Sequence, residues 1–539
     1  MNLKLKNTIL ISVLIILCMV TLSCVSAESI TDGDLLQNST GEPGDEVTQG
    51  PVEKFMSDID NASSGNTIYL TEDIAINDTI YINKDITIDG QNHAIDAQEK
   101  CGILYSNSKL TLKNLIFKNG ETVGSGGAIY ARGELIINNC QFISNKAYDG
   151  GAIDFYGTSL TITNSKFSEN TASDSGGAVL THSGSNLIVK NSVFDNNKAI
   201  ATSHGTRGGA ICCFGTSTIA SSTFTNNMCK AVASGKTPSK SKQSLGGALY
   251  LLCSTHKITD STFTANSVDN DGGAIFSYSD VSKLTVSKCK FTNNNAYYED
   301  GGAISSCAHN NYITGSTFTG NYAYEDGGAI DTYSFDGAKV KVTIDKCTFK
   351  SNKAYKSAGA IYMGIKTKYV IKNSNFKGNK GTVAGCLYIE PSCSATITKC
   401  TFDKNAAANV ARKVVYSKSK KVVKHSGGAV YSKSKSATLT KCTFKSNSAR
   451  YGGAICNHAK LTVKSSKFTK NSASDSGGAY FHDQGTSILK SNKFISNKAK
   501  KCGGGLYFKK GKMKASGNKF SKNKAKFGNK YYSKKSIKI

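Results

Sequence analysis

The sequence contains no tryptophan, four prolines and almost no arginine. Without tryptophan, the ring most used as a sugar-stacking platform is missing, and without arginine the usual bidentate partner of clustered carboxylates is missing too. Seventeen cysteines are present, yet none falls in a CxxC pair, which argues against zinc and against a thioredoxin-like centre. After residue 27 there is no apolar run long enough to span a membrane, and no block of alternating membrane-barrel strands closes the chain. What is abundant is glycine, 52 residues in 539, a composition that suits stacked short strands and turns better than helical domains.

Charge is plentiful but uneven. The net charge is +29, while residues 28–60 carry nine acids against Lys54 alone and residues 498–539 carry fifteen lysines and no acid. The first 27 residues read as an export signal: Lys4 and Lys6, an apolar run from Ile9 to Val20, then Val25-Ser26-Ala27 before Glu28. A retained anchor is the other reading, disfavoured because the run is shorter than the ~20 residues a spanning helix needs. The chain is therefore expected outside the cytoplasm, at the cell surface or extracellular, with no membrane span after cleavage. Residues 28–65 are expected to form a flexible acidic lead-in.

Self-similarity then decides the fold. Gly-Gly-Ala begins at Gly126, Gly150, Gly176, Gly208, Gly246, Gly272, Gly301, Gly327, Gly427, Gly452 and Gly477, with variants from Ala358, Ala384 and Gly503. Each is followed 16–22 residues later by Phe-x-x-Asn, from Phe142/Asn145 to Phe520/Asn523. Before the phenylalanine the chain alternates, as in KLTVSKCKF (283–291) and KLTVKSSKF (460–468), the period of a strand. One such unit cannot bury enough apolar surface alone, so neighbours must stack. The expectation is an all-β, right-handed, single-stranded parallel β-helix of about 16–18 coils over residues 66–530 with parallel strands about 4.8 Å apart, followed by a basic tail, 531–539. Phenylalanines should form an inner ladder, asparagines should bond up the stack at a turn, and Cys400 and Cys442 fall where successive coils could bridge.

GGAI followed by FxxN resembles the repeats of chlamydial polymorphic outer-membrane proteins. The arrangement as a whole, covering about 66–530, resembles the adhesin-like parallel β-helix surface proteins of methanogenic archaea. That resemblance implies a pectate-lyase-like solenoid scaffold and a surface adhesin, without the C-terminal barrel that displays the chlamydial proteins.

If the coils are scaffold, function should lie where they vary. The spacing from the FxxN asparagine to the next small-residue pair is usually 5–7 residues, but 11 after Asn197, 19 after Asn227 and 22 after Asn405. All three insertions leave the same corner of the coil, so they should project from one edge. The two longest, 228–245 and 406–426, contain no acid. Their Lys230, Lys236, Lys240, Lys242, Arg412, Lys413, Lys420 and Lys421 are candidate contacts to anionic envelope polymers or surface glycans. Nucleic acid fits the charge but not export, and the chain is expected to act as a monomer.

Asp271, Asp300 and Asp326 precede the glycines of three successive coils, two of them beside Glu299 and Glu325. Stacked, these carboxylates could share a hard cation such as calcium, or they could be turn acids relieved by water or lysine. Asp154 and Asp331 occupy equivalent places in distant coils. The histidines have no acid partner at a repeated offset, and His482-Asp483 should point to opposite faces. No catalytic constellation emerges, and the chain is expected not to be an enzyme. The rival is a polysaccharide lyase or glycoside hydrolase on the same scaffold.

Overall fold

Each repeat builds one coil of four short parallel strands. In the coil that opens at Gly126 they are Ile129–Ala131, Leu135–Asn138, Gln141–Ile143 and Lys146–Ala147, after which Gly150 starts the next turn. Strands at equivalent positions stack into sheets I, II, III and IV in that order. Sheet II alone runs through 17 strands, within the coil number the repeats predict. The computed structural model describes residues 50–202, 204–231, 243–252, 254–278, 283–335, 337–408 and 426–533. The leading 49 residues, including the segment expected to be an export signal, lie outside them.

Register is in phase from coil to coil. Leu135 pairs with Leu160, Ile137 with Ile162, and Phe142 with Phe167, so like residues stack on like. Strand Leu135–Asn138 alternates between buried and half-buried positions, placing Leu135 and Ile137 inward. The phenylalanines of sheet III form the inner ladder: Phe291, Phe318 and Phe349 stack with centroids 4.8 Å apart and rings within 4° of parallel. Each such pair adds about 0.5–1.5 kcal/mol to what burial alone supplies.

The asparagines after phenylalanine are fully buried and fully bonded. Asn321 donates from Nδ2 to Asn352 Oδ1 (2.9 Å) and to the Phe291 carbonyl (3.1 Å), and its Oδ1 accepts from the N–H and Nδ2 of Asn294. Two before the phenylalanine, serine and cysteine are buried as expected, and serine also bonds: Ser165 Oγ accepts the Cys140 N–H at 3.1 Å. The glycine pair has separate duties. Gly327 lies in the left-handed region, φ 63°, where a Cβ would sit 2.3 Å from the Ile330 carbonyl oxygen; at Gly328 a Cβ would strike the Gly359 oxygen at 2.4 Å. The first glycine turns the corner and the second lets the next coil approach.

Two boundaries differ from the expectation. Within the span expected to be a flexible lead-in, Pro51–Asn61 form a helix, α1, with proline at its first turn. Phe55 and Ile59 belong to the same core cluster as the coils, and α1 lies against the first two strands, Thr67–Tyr69 and Ile74–Ala75. Its two buried residues, four apart, are too few to stand out against an acidic segment. At the other end, Tyr531–Ser533 pair with Leu506–Phe508, so the solenoid continues three residues into the expected tail.

Every described cysteine is a free thiol, Cys400 and Cys442 included. No described helix is long and apolar enough to cross a membrane.

Candidate functional site

The outward residues of sheet I follow directly on the glycine corner. Tyr81, Tyr105 and Tyr130 pair in successive coils, and the same column continues through Asp154 and, farther along, Ser305, Asp331, Tyr362, Tyr388 and Tyr431. This face carries most of the side chains with chemistry to offer.

At the N-terminal end it is a row of rings. Tyr81, Tyr105, Tyr130 and Tyr156 follow one another at centroid distances of 5.5, 5.3 and 5.4 Å, and His182 stacks on Tyr156 at 3.6 Å. Tyr81 is 62% exposed and Tyr156 48%, so these apolar faces meet solvent although their neighbours are packed. Arg132 donates to the Tyr130 hydroxyl and lies 5.5 Å from its ring centre, steadying the middle of the row. The row closes on a polar set. Asp154, fully buried, receives a 2.8 Å contact from His182 Nε2, and its second oxygen has no partner. Asp149 accepts the Ser175 N–H, and burial, followed by the charges of Asp174 and Asp154, pushes its carboxyl up to about 7.

The acid trio lies farther along. Asp271 Oδ1 accepts the backbone N–H of Asp300 at 2.9 Å, and Asp300 Oδ1 that of Asp326 at 2.7 Å. Asp271 and Asp300 thus each hold the corner of the next coil, while Asp326 Oδ1 has no partner. Among the described residues no group of three or more His, Cys, Asp or Glu could hold a metal ion, so the geometry gives the calcium reading no ligand set. Nor are these solvated turn acids: Asp271 is 7% exposed, and burial, then Glu299, drives its carboxyl upward. Asp300 is driven up by burial and then by Asp331. Lys356 pairs with Glu325 at the rim.

Asp331 is the member that spacing missed. It does not meet Asp154, as expected for distant coils. It does meet the corner column of its own and neighbouring coils, because the strand after the glycines brings its outward residue beside the acids that precede them. It is 1% exposed with one oxygen unpartnered, and burial followed by Asp326 raises its carboxyl. The histidine–acid pairs were missed for the same reason: Asp483 binds His458 Nδ1 (2.8 Å) and Lys509 Nζ (2.7 Å) one coil to either side. His482 itself turns inward onto Ser487 Oγ at 2.7 Å, the opposite face from Asp483, and burial lowers it to about 4. His256 is likewise a core histidine, bonded to Ser217 Oγ.

Of the candidate basic contacts, Lys230 is exposed in strand Met228–Ala231 of sheet IV. Lys236, Lys240, Lys242, Arg412, Lys413, Lys420 and Lys421 lie outside the described residues. The points where the two long insertions leave, Ala231 and Ala408, are on the same side of the coil, following strands of sheet IV. The tyrosine row had a signal in the sequence, a tyrosine after Ile or Leu in TIYIN, ILYSN and AIYAR, hidden because two of the three precede the regular glycine marks.

No curated protein and no solved structure gives a significant match to the chain. The family described as "Right handed beta helix region" matches residues 62–241, 239–386 and 385–539, and the chain belongs to that family.

Proposed function

We propose that this protein is an exported, non-catalytic binding protein of the cell surface or envelope, acting as a monomeric rod that holds glycan chains along the outer face of sheet I. The observation that carries the reading is the solvent-facing row Tyr81, Tyr105, Tyr130, Tyr156 and His182, five rings in contact through successive coils, some stacked and some tilted. Rings repeated at the coil spacing offer a chain of sugars a ladder of ring edges and hydroxyls, with Arg132 beside the middle ring and the Asp154–His182 pair at one end. The resemblance to adhesin-like surface proteins of methanogenic archaea and to chlamydial surface repeats supports the same reading, as does the leading export signal. The basic insertions 228–245 and 406–426 would add contacts to acidic polymers.

A second reading is favoured by one specific arrangement. Asp331 lies on the outer face of sheet I beside the corner acids Asp271, Asp300 and Asp326, and carboxyls raised by burial are what a glycoside hydrolase uses as acid. Incubating the purified chain with a panel of neutral and acidic polysaccharides separates the two. Retention without new reducing ends, lost on Tyr130→Ala with Tyr156→Ala, is the expected result. Release of oligosaccharides, abolished by Asp331→Asn, overturns the non-catalytic reading. Recovery of the protein only in culture medium after cell fractionation contradicts surface retention.

A further inference from the structure

On a different face, the outer surface of sheet II, strands Thr367–Lys372, Ser394–Thr398 and Ser436–Thr440 floor a cleft of about 590 Å³. Its walls carry Lys339, Lys366 and Lys368; its floor carries the hydroxyls of Thr396 and Thr438 in successive coils; none of its lining residues is acidic. We infer that this cleft is a binding site for a linear polysaccharide bearing carboxylate or sulfate groups, separate from the tyrosine row.

No acid lines the depression to offset its three lysines, so an anionic chain would meet a wholly basic surface there. Lysine on a flexible stem suits this task as a mobile point charge, and serine and threonine hydroxyls supply neutral donors between the charges. The site is also built. Lys366 takes a left-handed backbone, φ 55°, outside the two regular turns where other residues do so. Its N–H donates to Ser392 Oγ at 3.0 Å and its Nζ to the Gly337 carbonyl at 2.9 Å, fixing its position on the wall. A non-glycine residue kept in that region costs about 1 kcal/mol or more, so its surroundings must hold it there. Lys341 pairs in register with Lys368, extending the positive column by one coil. Three strands at the parallel spacing span about 10 Å, which fits a short run of sugars better than a single ion.

The choice of probe rests on reading the rod as a glycan binder, and the test keeps the two apart. The full chain is titrated with a heparin-type sulfated oligosaccharide, with an oligogalacturonate, with the desulfated form of the first, and with inorganic sulfate. The variant K339Q/K366Q/K368Q is compared with K257Q/K490Q/K512Q, which removes the same charge from exposed positions of the same sheet face outside the cleft. Circular dichroism and Tm confirm that both remain folded. The expected result is a loss of about tenfold or more for the cleft variant, against about threefold or less for the control, as removing a charge-assisted contact predicts. Preference for the sulfated or the uronic probe names the group recognised. Equal losses in both variants, no loss in the cleft variant, or binding of inorganic sulfate alone overturn the site. Retention of a neutral glycan by the tyrosine row with no anionic probe bound overturns the cleft alone; no retention of any glycan overturns both readings.

Discussion

Replacing Asp149 by asparagine should stabilise the protein in alkaline solution and leave it unchanged in acid. Asp149 sits beside Asp154 and Asp174, and burial first, then those two charges, lifts its carboxyl from the ordinary 3.8 to about 7. A raised carboxyl is neutral in the folded chain where it is already ionised in the unfolded one. Its contribution is therefore intact below about pH 4 and is lost as pH rises through about 7. Three units at 1.36 kcal/mol each set a ceiling of about 4 kcal/mol, and partial exposure to water brings the expected figure nearer 2–3 kcal/mol. Spread over the unfolding entropy of a solenoid this long, that is a Tm difference of about 2–3 °C. Asparagine keeps the oxygen that accepts the Ser175 N–H at 3.1 Å and removes only the charge. Thermal melts followed by circular dichroism at about pH 3.5 and about pH 8.5 test the linkage. D149N should melt higher than the parent at the alkaline pH and equal to it at the acid one. A variant less stable at both, or stabilised equally at both, refutes the claim that a buried charge is the cost. Asp271, Asp300 and Asp331 are raised by the same cause, so the parent protein itself should lose stability between these two pH values.

Asn321→Ala removes the acceptor of the Asn294 amide and the donor to the Phe291 carbonyl, and at about 1–3 kcal/mol for each orphaned group should cost roughly 4 kcal/mol, read as a shift in denaturant midpoint at constant m-value. Gly327→Ala places a methyl 2.3 Å from the Ile330 oxygen at φ 63° and should abolish soluble expression or lower Tm by more than Asn321→Ala; tolerance of alanine there would show that the corner can relax. Under native conditions a thiol reagent should label the incompletely buried Cys101 and Cys502 first, while Cys140, Cys400 and Cys442 react only after denaturation, since burial lifts their thiols to about 11–12.

The scaffold was legible because its information is local and repeated. Alternation in KLTVSKCKF reports which side chains point inward, and a step of one coil stacks Phe291 on Phe318 without any choice being left to tertiary packing. The helix α1 was not legible, because Phe55 and Ile59 matter only through the open edge they cover, and a single amphipathic turn in an acidic stretch carries little signal.

The chemistry failed to show for a related reason. Comparing equivalent positions finds contacts within a column, such as Asp271 with Asp300, but function in a solenoid also arises between columns. Asp331 reaches the corner acids, and Asp483 reaches His458 and Lys509, by joining different positions of neighbouring coils, so no single repeated offset contains them. The same logic explains why the trio does not form a metal cage. Asp271 and Asp300 are each committed along the axis to the N–H of the coil beyond, at 2.9 and 2.7 Å, and a group already satisfied by the backbone is not free to turn toward a shared ion. Stacking that makes the fold predictable from its repeats thus uses the axial direction for structure and leaves contacts between the corner and the face of sheet I, such as Asp331 with Asp326, to lateral neighbours that no single repeat reveals.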